Sequence, residues 1–502
     1  MGLQGRSVEI LRALDVIDEL HGLGVVHREA HLYSDNGLIL EMALESDEHP
    51  YSGILCCPQH HLEAVLSARF IALGGEIVRN TEMLDFVQDG QSVRCRFRQG
   101  TEIFALSTRI LVGTDGAYST VRQCLHMGVQ CDAEPDHFVI VDCQWHNPPD
   151  SKASHTFLLA EGPVFVQPLP HAWRFMLSQS APPEPGVGAA DPLTQVADRL
   201  QPALGARPEL SGIQWHTHFS VRRQLVDHYR RNRVFLAGDA AHVQSPVGGQ
   251  GMNTGLADAF NLGWKLALYL SGKGSGAMLD SYEQERRPVA ERMLNSQDFF
   301  SHASLLQQPW LQRGRDSLLR FVMQRPAFMR RLLRRLNQLD VHYRLSPLVS
   351  GHGFVSASRR RQGPLPGDRI TDVALHSLRR DREHRLHELL KQPVHHLLLH
   401  LPEVPDHAQQ LVVYALLQRI ADDYESFVHV TVIADADNEL TTTLRRESTV
   451  RVWHDHTGAW ARTVVVPGQL WLMRPDGHLA YRAPLADADH LLSWMEALFA
   501  PR

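Results

Sequence analysis

The chain has 502 residues, of which 43% are hydrophobic and 21% charged, with a formal net charge of -6. That length exceeds what one hydrophobic core fills, so two or three domains are expected, and the ordinary composition excludes disorder on a large scale. The mildly acidic balance offers no basic field to nucleic acid, and there is no uninterrupted apolar stretch of about 18 residues to span a membrane.

The arginine runs "RRLLRR" and "SRRRQG" read as solvated helix or linker surface. All six cysteines, Cys56, Cys57, Cys95, Cys124, Cys131 and Cys143, lie in the first third of the chain without metal-ligand spacing. They predict free thiols in a reducing cytoplasm and no metal site. The start "MGLQGRSVEILRAL" lacks the charged-then-apolar order of a signal peptide.

In chain order, Val8, Ile10, Leu11, Leu14, Ile17 and Leu20 recur at helical spacing from the outset. A turn-rich alternating region follows. In "PQHHLEAVLSARFIALGG", Leu62, Val65, Leu66 and Phe70 make one apolar helix face ended by a glycine pair. "EIVRN", "SVRCRFRQG" and "RILVGTDG" read as strands, the last running into a Gly-rich turn. From about 130 to 220, segments such as "HFVIVDCQW", "GPVFVQPL" and "WRFMLSQS" predict an antiparallel sheet inserted into an α/β domain. A helical region spans about 278–345, and the Pro- and Gly-rich stretch near "RRRQGPLPGDRITD" reads as a linker. Beyond it, "VHHLLLHL", "FVHVTVIAD", "VRVWHD" and "QLWLMRPDGHLAYRAP" predict strands of a small α/β domain, with helices near 407–421 and at the end.

The stretch "VFLAGDAAHVQSPVGGQGMNTGLADAFNLGWKLALYL" carries the chemistry. Its apolar strand delivers Gly238 and Asp239 to a strand's carboxyl end, where α/β sheets bind ligands and an aspartate can accept hydrogen bonds from sugar hydroxyls. Gly248, Gly249 and Gly251 let the backbone approach a flat ligand, and the N–H groups of Gly251, Met252 and Asn253 would point out of a helix N-terminus that favours negative charge. A reduced flavin with its ribityl chain has both properties.

The segments "GDAAH", "GGQGMN", "DAFNLGWKL" and "YEQERRPVA" follow one another in an order that resembles the second FAD motif of the class A flavoprotein aromatic hydroxylases, the para-hydroxybenzoate and phenol hydroxylase family, with hydroxyphenylpropionate hydroxylases among them. "GTDGAYSTVRQCL" resembles that family's middle motif, which implies that Asp115, Gly116 and Arg122 lie near the pyrophosphate and serve the reduced nicotinamide. "CPQHHLEAVL" resembles a segment whose glutamine contacts flavin, which makes Gln59 a candidate; Pro246 would lie beside the isoalloxazine. The tail resembles the thioredoxin-like domain of many such hydroxylases, and residues 363–502 contain no cysteine, so thiol redox chemistry is excluded there. The family also opens with a strand and GxGxxG that hold the ADP half of FAD. No such pattern occurs here, and residues 1–20 resemble the helix that follows that unit, so a chain starting past it is expected.

The resemblance implies an α/β fold: a Rossmann-like FAD-binding domain, incomplete at its N-terminus, with an inserted antiparallel substrate sheet, a helical region and a C-terminal thioredoxin-like domain. The expected division is 1–130 and 223–345 for the FAD-binding domain, 131–222 for the substrate sheet, 346–365 for the linker and 366–502 for the thioredoxin-like domain. It further implies a cytoplasmic, FAD-dependent monooxygenase, with NADPH or NADH as reductant, acting through a C4a-hydroperoxyflavin on a small aromatic substrate, phenolic or polycyclic, and a homodimer as its assembly. No catalytic proton relay is assigned, although His155, His171, His216 and His218 lie in or near the inserted sheet. A non-catalytic relative that no longer binds FAD, and a flavoprotein with other chemistry such as a halogenase or epoxidase, are the alternatives. The missing WxWxI motif counts against a halogenase.

Overall fold

The computed structural model describes residues 2–44, 53–150, 152–179, 191–246, 249–304, 308–352, 363–377, 382–446, 450–464 and 468–499. An α/β body, an inserted sheet and a C-terminal α/β unit are present as expected. At the start, the apolar pattern forms two helices, Gly5–Ala13 and Ile17–Leu23, because Asp15 takes a left-handed turn at φ 57°. Their buried faces, with Leu62 and Val65 of the helix Gln59–Ala72, close one core, against which Met252 and Leu256 of the long helix Gly251–Leu270 pack. Phe70, expected on that face, is instead 50% exposed.

"EIVRN" is not a strand. Asn80 sits at φ 56°, which breaks the extended run, and the strand follows over Thr81–Gln88 in an antiparallel meander with Val93–Gln99 and Glu102–Thr108.

The inserted sheet has seven strands in the order Leu210–Val221, Asp136–Trp145, Ala172–Gln179, Gly162–Leu169, Ala153–Leu159, Glu29–Ser34 and Gly37–Ala43. All neighbours are antiparallel except Ala153–Leu159 and Glu29–Ser34, which run parallel. The hairpin Glu29–Ala43 thus joins a sheet that otherwise comes from residues 136–221. One face is covered by the helix Pro192–Leu204, where Val196 and Leu200 pack on Val139, Val141, Val166 and Phe175.

The C-terminal sheet has eight strands, with the parallel trio His395–Leu401, Val428–Ala434 and Val450–His454 next to the hairpin Gln469–Met473 and Leu479–Pro484. Its core is shared with the α/β body, because Trp264, Leu268 and Met278 are buried in the same cluster as Leu397, Leu399 and Tyr481. Within the segment expected to be a linker, Leu348 enters that core and Ser350–Gly351 pairs with Tyr481 and Arg482. "SRRRQG" lies outside the described residues except for its last glycine, whereas the arginines of "RRLLRR" are exposed on the helix Pro326–Leu336.

Buried charge ties the units together. Glu285, on the helix Gly276–Ser304, accepts hydrogen bonds from Arg474 Nη1 (2.6 Å), Lys265 Nζ (2.7 Å), Asn261 Nδ2 (2.7 Å) and Ser346 Oγ (2.5 Å). Arg474 also binds Asp476, and the indole of Trp264 donates to the same carboxylate. Burial alone would raise the Glu285 pKa, but Arg474 and Lys265 hold it down at about 2.

Two outcomes follow. Arg474→Met strands a buried carboxylate and should lower stability by about 3–5 kcal/mol in chemical denaturation; an unchanged midpoint would contradict the role given to this cluster. Because the Glu285 pKa is depressed from 4.5 to about 2, its contribution is fully present above the ordinary carboxylate range and is lost as pH falls toward 2. The denaturation midpoint should drop over that window, and Glu285→Gln should flatten the drop.

Candidate flavin site

The strands Leu111–Gly113 and Val234–Leu236 run parallel and adjacent, with Val112 opposite Phe235, and the Ala237 N–H donates to the Gly113 carbonyl at 3.0 Å. Val234, Phe235 and Leu236 are fully buried, which fixes where the chain emerges. The Asp115–Gly116 turn and the Gly238–Asp239 turn therefore leave neighbouring carboxyl ends side by side. Gly238 takes φ 59°, a left-handed turn that a side chain would resist, and its N–H donates to Asp258 Oδ2 at 3.2 Å.

The candidates from the middle motif are engaged locally. The Asp115 carboxylate accepts from Ser119 Oγ (2.5 Å) and from the Val121 N–H (3.0 Å), capping the short helix Thr120–Cys124. Arg122 is buried and donates to the carbonyls of Ala240 (3.0 Å) and Ala117 (2.6 Å), which locks the two turns together. Burial lowers its pKa, with Asp115 opposing. A Cβ added at Gly116 would meet nothing within 4 Å.

In the main loop, the Gly249 N–H donates to the Pro246 carbonyl at 2.9 Å across a turn that places Gly249 at φ 63°. Gly248 lies outside the described residues. The helix Gly251–Leu270 has no side-chain cap, and its first bond runs from the Thr254 N–H to the Gln250 carbonyl at 2.9 Å. The N–H groups of Gly251, Met252 and Asn253 are therefore left without acceptors among the described residues, a ready place for negative charge. A Cβ at Gly251 would enter open space. The Asp239 carboxylate is solvent-exposed and accepts no hydrogen bond from a described residue, yet the protein mass around it raises its pKa through desolvation, with the His242 charge opposing. Both amide atoms of the Gln244 side chain are buried without a partner among the described residues. Open space at two glycines, free amides, an unpaired aspartate and an orphaned amide together fit the flavin half of FAD.

Other candidates have structural duties. The Asn253 side chain accepts from the Gln4 N–H (3.0 Å) and donates to the carbonyls of Gly2 (3.0 Å) and Gly249 (2.8 Å), pinning the first strand to the loop. Met252 packs into the N-terminal core. Gln59 is exposed at the start of its helix and donates to Glu63 at 2.9 Å.

A buried set that the motif reading passed over holds the loop. Asp258 Oδ1 accepts from Arg286 Nε (2.6 Å), its Oδ2 lies 2.6 Å from His242 Nε2, and Arg286 donates onward to the Tyr343 hydroxyl (3.0 Å) and the Thr254 carbonyl (3.2 Å). Burial would raise Asp258, but the charges of Arg286 and His242 outweigh it and keep the carboxyl below its usual range. The available signal was an aspartate and an arginine standing at core-facing positions of two helices. The histidines of the inserted sheet do not approach the loop. The cross-strand register places His155, His216 and His218 on the face that carries Val139, Val141 and Val166, toward the helix Pro192–Leu204, and His171 is exposed in a turn. Burial lowers His155 to about 4.

The chain matches the FAD binding domain family over residues 1–297. It is 29% identical to 6-methylpretetramide 4-monooxygenase of Streptomyces rimosus, over 99% of this chain and 86% of that protein. It is 29% identical to pentachlorophenol 4-monooxygenase of Sphingobium chlorophenolicum, over 83% of this chain and 74% of that protein. Among solved structures, the flavin-dependent monooxygenase PieE in complex with FAD and substrate superposes with a TM-score of 0.77 at 21% identity, covering 99% of this chain and 91% of its own, and shares the fold. The anhydrotetracycline hydroxylase OxyS from Streptomyces rimosus gives 0.74 at 24% identity, covering 100% and 91%. The family match takes in more than half of the chain, and the motif resemblance to class A flavoprotein hydroxylases is borne out: this chain belongs to the FAD binding domain family.

Proposed function

We propose that the chain is an FAD-dependent monooxygenase that uses NADPH or NADH and O2 to hydroxylate a phenolic or polycyclic aromatic ring. The observation that carries this reading is the unpaired amide set at Gly251–Asn253, opening onto free space beside two strand-end turns. Relatives that act on pentachlorophenol and on tetracycline intermediates support the substrate range. When bound, FAD supplies hydride acceptance from the nicotinamide and oxygen activation. The chain's own part is to bind, orient and exclude water.

In this reading, the amides of Gly251, Met252 and Asn253 stabilise negative charge on the isoalloxazine edge. Asp239 accepts hydrogen bonds from ribityl or ribose hydroxyls, and Pro246 lies beside the ring. Asp115 and Arg122 hold the turn that faces the pyrophosphate, and a flavin contact by Gln59, which the family resemblance implies, requires it to leave Glu63. Residues 1–130 and 223–345 form the FAD-binding part, 131–222 with the hairpin Glu29–Ala43 the substrate sheet, and 366–502 the thioredoxin-like unit. A cytoplasmic location agrees with six cysteines that are all free. A homodimer is part of the proposal, with the exposed side chains of Leu318 and Phe321 as apolar surface available to it.

NAD(P)H oxidation by the flavin-loaded protein should rise when a phenol is added, and with 18O2 the product should gain one labelled oxygen. Product oxygen derived from water, or no flavin-dependent oxidation, would overturn the proposal. Asp239→Ala should weaken FAD binding by about one to two powers of ten, the loss of charge-assisted bonds of roughly 1.5–3 kcal/mol. An equal dissociation constant would leave Asp239 without a flavin role. Gly251→Val should give a folded protein that purifies colourless, and a normal flavin spectrum would refute the loop assignment.

A further inference from the structure

The face of the inserted sheet opposite the helix Pro192–Leu204 looks toward the flavin loop. Asn253 Nδ2 donates to the Gly2 carbonyl at 3.0 Å, and a Cβ added at Gly2 would come 3.5 Å from Gln167 Nε2, so one residue separates loop from sheet. Cross-strand register arranges this face in rows. One row is apolar and half-buried, with Phe165 opposite Met176 and Met176 opposite Ile140. The next is polar, running from Gln167 through Arg174 and Asp142 to Trp215.

Arg174 is the only Lys or Arg that the described residues of the seven strands place on this face. Its guanidinium is already taken. Nε donates to Asp142 Oδ1 at 2.8 Å and Nη2 to Oδ2 at 2.7 Å, a two-pronged match of fork to carboxylate. Asp142 is 8% exposed, so a ligand that drew the guanidinium away would leave a buried carboxylate unpaired. The Arg174 Cζ also lies 5.6 Å from the ring centre of Trp215, whose indole is 47% exposed on the edge strand. An exposed flat indole, a row of Phe165, Met176 and Ile140, and a neutralised cation suit an uncharged aromatic surface.

Resting on the monooxygenase reading above, we infer that the substrate is an extended aromatic without a carboxylate, and that Asp142 enforces this by occupying the cation that these strands offer an aromatic acid. Trp215 and the apolar row contact its rings. Gln167, whose amide makes no hydrogen bond to a described residue, meets one of its oxygens. Asp142 and Arg174 are positioning residues in this scheme and take no part in the chemistry.

Fluorescence titration with a matched pair, 2-naphthol and 3-hydroxy-2-naphthoate, reads the selectivity without reductant or turnover. The natural protein should bind the naphthol at least about tenfold more tightly than the acid, and Asp142→Asn should raise affinity for the acid by about tenfold while leaving the naphthol within a few fold. Equal or tighter binding of the acid by the natural protein, binding of neither probe, or an unchanged ratio in Asp142→Asn would overturn the inference. If the variant does not fold, the natural protein's ratio decides. A protein that shows the ratio but never oxidises NAD(P)H would defeat the monooxygenase reading alone. One that oxidises NAD(P)H yet prefers the acid would defeat only this inference.

Discussion

Two adjacent residues on one helix, Glu285 and Arg286, hold this molecule together. Successive residues of a helix point about 100° apart, so neighbours can serve different partners. Glu285 turns to Lys265, Arg474 and Ser346 and fastens the C-terminal unit, while Arg286 turns to Asp258 and Tyr343 and fastens the loop before Gly251. All of these groups are buried, and an ionised group away from water is tolerated only when its charge and hydrogen bonds are met. Each placement thus depends on the other's partners arriving.

That constraint reaches the chemistry through Asp258. Its carboxylate holds the Gly238 N–H and contacts His242, so both ends of the turn carrying Asp239 are tied to the helix that begins at Gly251. Gly238 and Gly255 also approach closely, since a Cβ at Gly255 would come 3.3 Å from the Gly238 Cα. The amides of the helix N-terminus and the Asp239 carboxylate therefore keep a fixed relation. Preorganised donors of this kind favour charge that develops on a bound ring, because they need no rearrangement when it appears. The same helix, through Trp264 and Leu268, lies in the core of the C-terminal unit, so that unit supports the helix whose N-terminus forms the candidate site.

Much of this was legible in the sequence because local rules and motif order agree there. The run Val234–Leu236, the glycine turn at Gly238 and the helix after Gly251 follow from apolar burial and glycine placement. The strands His395–Leu401 and Val428–Ala434 were readable from their leucine- and valine-rich runs, although His395, His396, His400, His429 and Thr431 interrupt them. What could not be read depends on contacts distant in sequence. Nothing in "EAHLYSDNGLILEMA" says that it will pair in parallel with Ala153–Leu159, and Asn80 ends an otherwise strand-like run by adopting a left-handed angle that sequence alone does not impose. Arg122 looked like a ligand contact by resemblance, whereas its guanidinium is spent on two backbone carbonyls; Asn253 likewise ties down Gly2 and Gln4. Glu285 and Arg286 were visible inside "YEQERRPVA", but their partners lie as far away as Arg474, so their roles needed the fold.

The central claim is that the loop held by Asp258 is the flavin-binding element. FAD titration of the protein and of its Asp258→Asn variant, compared under conditions where circular dichroism shows both folded, tests it most directly. The account predicts saturable binding by the natural protein and a dissociation constant at least about tenfold higher in the variant. Equal affinities, or no binding by the natural protein, would contradict it.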